Sequence, residues 1–209
     1  MEENKKYILG YGEDSLTLVY LQNKEKRKEL FDRINSIEEL KDVANDDCII
    51  FYRPSFGRKY GPGEPDFIIF NQEKKILILG ESKWNNINIK NLKEQLENRK
   101  SKISSFFKPK THEKNKNTRL EKTYKEFIKI TEIKDELECK YLILIFYLKN
   151  NFERIKKSLK TLNIEINYKD NQPEYAYYDK ETKDSIILFV DYTNDPSVLN
   201  ETFIKIQKE

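Results

Sequence analysis

Two apolar runs joined by a short polar tetrapeptide constrain this chain more than any other feature. The first is Phe67-Ile68-Ile69-Phe70, opened by Gly63-Glu64-Pro65-Asp66. The second, Lys75-Ile76-Leu77-Ile78-Leu79-Gly80, closes on Glu81-Ser82-Lys83-Trp84. Between them Asn71-Gln72-Glu73-Lys74 is polar and short enough to be a hairpin connection. Paired antiparallel strands lie about 4.8 Å apart, so the turn sets Asp66, at the start of one strand, beside Glu81 at the end of the other. Side chains alternate along a strand, so Glu81 and Lys83 share a face and Ser82 points to the opposite one. Two carboxylates and an ammonium thus converge at the frayed end of a sheet. Gly80 weakens a strand and suits a place where something must approach closely.

Hard oxygen donors beside an ammonium are what a divalent metal and a polarised water require. The plainer reading of the same residues is a solvated sheet edge with a surface ion pair. Pro65-Asp66 followed by Glu81-x-Lys83 resembles the signature of the PD-(D/E)xK, or restriction-endonuclease-like, nuclease superfamily. The resemblance covers residues 60 to 84 and, more weakly, the segments on either side. It implies an α/β fold, a restriction-endonuclease-like core with a central mixed β-sheet flanked by helices. It also implies hydrolysis of phosphodiester bonds in DNA with Mg²⁺, for which Mn²⁺ can substitute. Asp66 and Glu81 then become metal ligands, joined by the main-chain carbonyl of Ser82. Lys83 becomes the group that orients or activates the attacking water and stabilises developing charge.

Further candidates surround this core. Many superfamily members carry an acidic residue on the opening helix that completes the metal site, a pattern Glu13 matches loosely. Glu13 is equally a favourable charge at a helix N-terminus, and Glu64 competes for the same role. Gln95 falls on the helix after the motif, where some relatives carry a supporting Gln; by position alone it is also an exposed helical residue. Arg53, Arg58 and Lys59 flank glycines and aromatics just before Asp66. They suit phosphate contact, with Phe56 or Tyr60 stacking on a base, or simply a solubilising loop. A second basic stretch, Lys100, Lys102, Lys108, Lys110, Lys114, Lys116 and Arg119, is suited to tracking a DNA backbone. The tyrosines from Tyr175 to Tyr178 suit sheet packing, or a platform for nucleic acid or another protein.

Composition narrows the alternatives. At 209 residues the chain suits one domain with a real core. The net charge of +3 gives no global basic field, so any nucleic-acid surface must be local. A single histidine, His112, sits in a polar segment and reads as a surface residue. Ser-His-Asp hydrolysis, His-based zinc sites and histidine-centred nucleases are therefore disfavoured. Cys48 and Cys139 lie outside any CxxC pattern and read as buried thiols in a reducing compartment rather than a disulfide. No signal-peptide core follows Met1-Glu2-Glu3-Asn4-Lys5-Lys6, and no run approaches the roughly 20 apolar residues of a membrane span. A soluble, cytoplasmic protein is expected.

Along the chain, patterning predicts a helix opening near Gly12 to Ser15 and a second over Lys24 to Leu40. A strand is expected at Cys48 to Tyr52, then the hairpin, then a helix over about Lys90 to Phe107. A further helix at Arg119 to Ile130 precedes Tyr141 to Tyr147, whose continuous apolar character marks a central strand covered on both faces. A helix at Phe152 to Leu162, strands at Tyr175 to Tyr178 and Ser185 to Val190, and a closing helix over Pro196 to Gln207 complete the reading. Helix, three strands, helix, strand, helix is the order the resemblance implies. The function expected is a metal-dependent DNA endonuclease, most naturally restriction-type, with DNA as partner and a homodimer as a common arrangement for such cutters. The alternatives are a repair or recombination nuclease, a ribonuclease, or a nucleic-acid-binding module that keeps the fold without the chemistry.

Overall fold

The computed structural model describes residues 7–54, 64–84, 91–92, 119–132, 137–178, 180–196 and 203–207. Within these, strands β2 (Ile49–Tyr52), β3 (Phe67–Asn71), β4 (Ile76–Trp84), β5 (Glu138–Tyr147), β6 (Ile166–Lys169), β7 (Gln172–Tyr177) and β8 (Ser185–Asp191) form one seven-stranded sheet. Their spatial order is β2-β3-β4-β5-β8-β7-β6. The sheet is mixed: β2, β3 and β4 pair antiparallel, β5 is parallel to both β4 and β8, and β7 and β6 return antiparallel.

Helices cover both faces, and period-two alternation assigns each strand residue to one of them. Ile69, Ile78, Leu142, Leu144, Ile186 and Leu188 pack with helices α1 (Gly12–Gln22) and α2 (Lys24–Asn35). Ile68, Leu77, Leu79, Ile143, Ile145 and Phe189 pack on the other side with Phe127 of α3 (Arg119–Thr131) and Ile155 and Leu159 of α4 (Phe152–Lys160). β5 is the middle strand, and Tyr141 to Tyr147 are all buried, as its unbroken apolar run requires. Among the described residues no helix is long and apolar enough to cross a membrane.

Local chemistry explains the boundaries. The Asn23 side chain accepts from Lys26 N at 3.0 Å and caps α2. That helix ends at Asn35, not Leu40 as patterning predicts. The Asn35 side chain is drawn to both backbone groups of Ala44, at 2.7 and 3.0 Å, and a 3₁₀ turn at Glu38–Leu40 follows. The β3–β4 loop occupies residues 72–75, with Lys75 at φ +56°. The side chain of Asn71 braces it, accepting from Lys74 N at 2.9 Å and donating to Val43 O at 2.7 Å.

The end of the chain departs from expectation. Phe203–Gln207 is a strand, β9, not the last turns of a helix. It pairs antiparallel with β1 (Tyr7–Tyr11), from Tyr7↔Gln207 to Tyr11↔Phe203. The sequence Phe203-Ile204-Lys205-Ile206-Gln207 alternates in period two and carries stiff β-branched isoleucines, which suit a strand once a partner exists. β6 was also not anticipated. It is joined to β7 by Asp170-Asn171, both at positive φ, 50° and 60°, as a primed two-residue hairpin turn demands.

Candidate active site

The site grows out of the β3–β4 register. Phe67 faces Gly80 across the ladder. One step beyond, Asp66 N donates to Gly80 O at 2.9 Å, which carries Asp66 to the level of Glu81. On the far side Arg53 N donates to Asp66 O at 2.8 Å, so the backbone of Asp66 is held from both neighbours. One Asp66 carboxylate oxygen, Oδ2, accepts from the Ser82 backbone N–H at 2.7 Å.

On β4, Glu81 and Lys83 lie beside Ile143 and Ile145 of β5, on the α3/α4 side of the sheet. Glu81 is 3 % exposed, an unusual place for a carboxylate. The Lys83 ammonium donates to Ser82 O at 2.7 Å and stands 3.7 Å from Glu81 Oε2. Ser82 points the opposite way, as period two demands, and its hydroxyl meets Thr17 of α1 at 2.6 Å. Trp84, the last residue of β4, donates from its indole N–H to the Tyr192 hydroxyl.

Helix α1 brings a third carboxylate. Glu13 lies within electrostatic reach of the Lys83 ammonium, the Asp66 carboxylate and the Trp84 backbone N–H. Burial is the main force raising its proton affinity; Lys83 lowers it, and Asp66 and Asp14 raise it again. The Asp66 carboxyl is likewise raised, first by burial, against the opposing pull of the Ser82 N–H and Lys83, with Asp14 adding to the rise. Among the described residues, four carboxylates (Glu13, Asp14, Asp66, Glu81) thus face two cations, Lys83 and Arg53.

That imbalance bears on what the site can hold. The donors presented by Asp66, Glu81 and the Ser82 carbonyl are all hard oxygens, and the cation now among them is an ammonium. Among the described residues no three Asp, Glu, His or Cys side chains close on a common metal position. Mg²⁺ does not need three, because it keeps several waters and is commonly held by one or two carboxylates. The donor set therefore fits Mg²⁺ or Mn²⁺ and is unsuited to a thiolate- or imidazole-loving metal.

The structure brings Asp66, Glu81, Ser82, Lys83 and Glu13 together. Arg53 is at the mouth, 48 % exposed, but its guanidinium is engaged by the Asp14 carboxylate instead of standing open. Tyr52 adds a hydroxyl bond to Asp14 O at 2.8 Å. Glu64 is half-buried just before Asp66. Arg58, Lys59, Gln95, Phe56, Tyr60, His112 and the lysines from Lys100 to Lys116 lie outside the described residues. Tyr175 and Tyr177 pack against the sheet core, the commoner use foreseen for them.

Three participants escaped the sequence reading: Asp14, Thr17 and Tyr192. Thr17 was accessible in principle, because it lies four residues after Glu13 and so on the same helix face. Gly80 is, as expected, a place of close approach. The close approach there is the Phe67 ring, which covers the space a β-carbon would fill. Compared with protein-family models, curated proteins and solved structures, the chain matches none. What is established is an α/β protein with a seven-stranded mixed sheet flanked by helices.

Proposed function

We propose that this chain is a metal-dependent deoxyribonuclease with a restriction-endonuclease-like core, most naturally a restriction-type endonuclease. One observation carries the reading. Asp66 is bonded to Ser82 N–H, Lys83 to Ser82 O, and the Glu13 carboxyl feels both Lys83 and Asp66, so the motif residues and an opening-helix acid meet at one sheet end. The order of elements supports it: a helix, three antiparallel strands, and then a strand parallel to the third.

In this reading Asp66, Glu81 and the Ser82 carbonyl hold Mg²⁺, with Glu13 completing the set. An ion held there would supply charge neutralisation at the scissile phosphate and a more acidic water. The residues of the chain prepare the reaction. The Ser82 N–H fixes one Asp66 oxygen and leaves the other to face the site. Lys83, with three donor protons, keeps one bond within the protein and directs others to the attacking water and the developing phosphate charge. Burial beside Ile143 and Ile145 lowers the local dielectric and strengthens each of these interactions. Arg53, on release from Asp14, would join Arg58, Lys59 and Gln95 on the DNA backbone, and two copies of the chain would cut the two strands.

The test is cleavage of supercoiled plasmid and linear DNA with Mg²⁺, Mn²⁺ or EDTA, with Asp66→Asn and Lys83→Ala alongside. Discrete metal-dependent bands, lost in both variants, are expected. Progressive shortening in place of bands moves the reading to a repair-type nuclease. Wild-type DNA binding without cleavage, unchanged by Asp66→Asn, overturns the enzymatic reading and leaves a binding module.

A further inference from the structure

Ser82 occupies the middle of Glu81-x-Lys83, the position to which the motif assigns no side-chain role. In this chain all its polar groups are used. Its N–H holds Asp66 Oδ2 at 2.7 Å, its carbonyl takes the Lys83 ammonium at 2.7 Å, and its hydroxyl lies 2.6 Å from Thr17 Oγ1. Thr17 Oγ1 lies in turn 2.7 Å from the Glu13 carbonyl. A carbonyl only accepts and a hydroxyl has one proton. Thr17 therefore donates to Glu13 O, and Ser82 donates to Thr17. The result is a directed chain, Ser82 O–H to Thr17 O–H to Glu13 C=O, from the motif strand to the start of α1.

Thr17 and Ser82 are both 0 % exposed, and they join α1 to β4 on the sheet face built from Leu16, Val19, Phe67 and Leu144. Two hydroxyls there are costly unless bonded to each other. An apolar pair of the same shape would hold the fold about as well. What an apolar pair could not supply is direction. The hydroxyl chain fixes the first turn of α1, and with it Glu13, along β4 at Ser82.

We propose that Thr17 and Ser82 are a positioning pair: their buried hydroxyl bond sets the Glu13 carboxylate against Asp66 and Lys83 and holds Ser82's main chain in the orientation the cation site needs. This rests on the reading of that cluster as a divalent-cation site. Neither side chain touches substrate; both act through the groups they place.

The experiment is calorimetric titration of Mn²⁺ into the full chain, with thermal unfolding followed in parallel. The variants are Thr17→Val, Thr17→Ser, the double variant Thr17→Val/Ser82→Ala, and Asp66→Asn. Loss of a group that orients metal ligands commonly weakens affinity by about 10- to 100-fold. Thr17→Val and the double variant should lose about tenfold in Mn²⁺ affinity, and Thr17→Ser should restore it. The double variant should unfold near the wild-type temperature, since it leaves no orphaned hydroxyl. A folded double variant with wild-type affinity overturns the proposal. So does a double variant that fails to fold, because the pair then serves the fold and not the site. Wild-type affinity lost in Asp66→Asn but kept in the double variant removes only the positioning role. Equal Mn²⁺ binding by wild type and Asp66→Asn, or none by either, removes the cation site itself.

Discussion

Gly80→Ala is the sharpest test of how the candidate site is built into the core. A β-carbon at Gly80 falls 1.9 Å from Cζ of Phe67 and 2.2 Å from both its Cε atoms. Contacting carbons sit about 3.5–4.0 Å apart, so the ring has to retreat by about 1.5 Å. Phe67 is 0 % exposed in a close-packed cluster, which offers it nowhere to go. Two effects oppose each other. Replacing glycine in a strand reduces unfolded-chain entropy and stabilises by about 0.4–1 kcal/mol. Overpacking costs about 1–3 kcal/mol, and a displacement this large belongs at the upper end. Net destabilisation of about 2 kcal/mol is expected, or a fall of about 4–8 °C in Tm for a domain of this size. Phe67→Leu makes room, so Gly80→Ala should cost less in that background, with a coupling of about 1–2 kcal/mol in the double-mutant cycle. Urea and thermal unfolding of the four proteins measure it. A neutral Gly80→Ala, or costs that add to within about 0.5 kcal/mol, would refute the contact.

Two further outcomes follow from other parts of the fold. Burial alone would raise the Glu39 carboxyl, but hydrogen bonds from Lys183 and Tyr177 outweigh it and leave the group below its ordinary value of 4.5. A carboxyl depressed in the folded state stabilises above its unfolded pKa, and that contribution disappears as pH falls through the folded one. Glu39→Gln should therefore lower Tm at neutral pH and leave it nearly unchanged in acid below the carboxylate range. An equal Tm loss at both pH values would sink the assignment. Burial also pushes the Cys139 thiol up to about 12 and raises Cys48. Neither should react quickly with iodoacetamide at pH 8 in the native state, and denaturant should release two reactive thiols; rapid native labelling of Cys139 would contradict its burial.

What was legible in the sequence was local. The β3–β4 hairpin announces itself through an apolar run, a polar turn and a second run, all within twenty residues. It carries Asp66, Glu81, Ser82 and Lys83 together, so their convergence needed only strand geometry. The central position of β5 was equally plain, because only a strand covered on both faces can be apolar throughout. The β1–β9 pairing was not legible. Tyr7–Tyr11 and Phe203–Gln207 are short, lie at opposite ends of the chain, and acquire strand character only from each other. The β6–β7 hairpin could have been found, since Asp170-Asn171 is a recognisable positive-φ turn pair. The Thr17–Ser82 bond belongs to a third kind. Each residue alone is an unremarkable hydroxyl, and only the packing of α1 on β4 makes them partners. Arg53 illustrates the reverse: its position was foreseen, but its engagement by Asp14 depends on a helix turn thirty-nine residues away.

Register ties these pieces together. Side chains on a strand have period two, so slipping β4 by one residue would turn Glu81 and Lys83 toward α1 and Ser82 away from it. Three independent features specify the same register. The braced turn at Asn71 sets where β4 begins. The Phe67 ring fits only over a residue without a side chain, which is Gly80. The Thr17 hydroxyl needs a partner on its own face, which is Ser82. Local and tertiary choices that agree in this way mark a well-specified structure. The cluster those choices hold in place breaks the rules of a core. Glu81 is buried beside isoleucines, and burial opposes ionisation of both Asp66 and Glu13. Burying charge in this way carries a desolvation cost that apolar residues would not. Charges held against that preference, at a point the register is so firmly built to present, are what the proposed cation site requires.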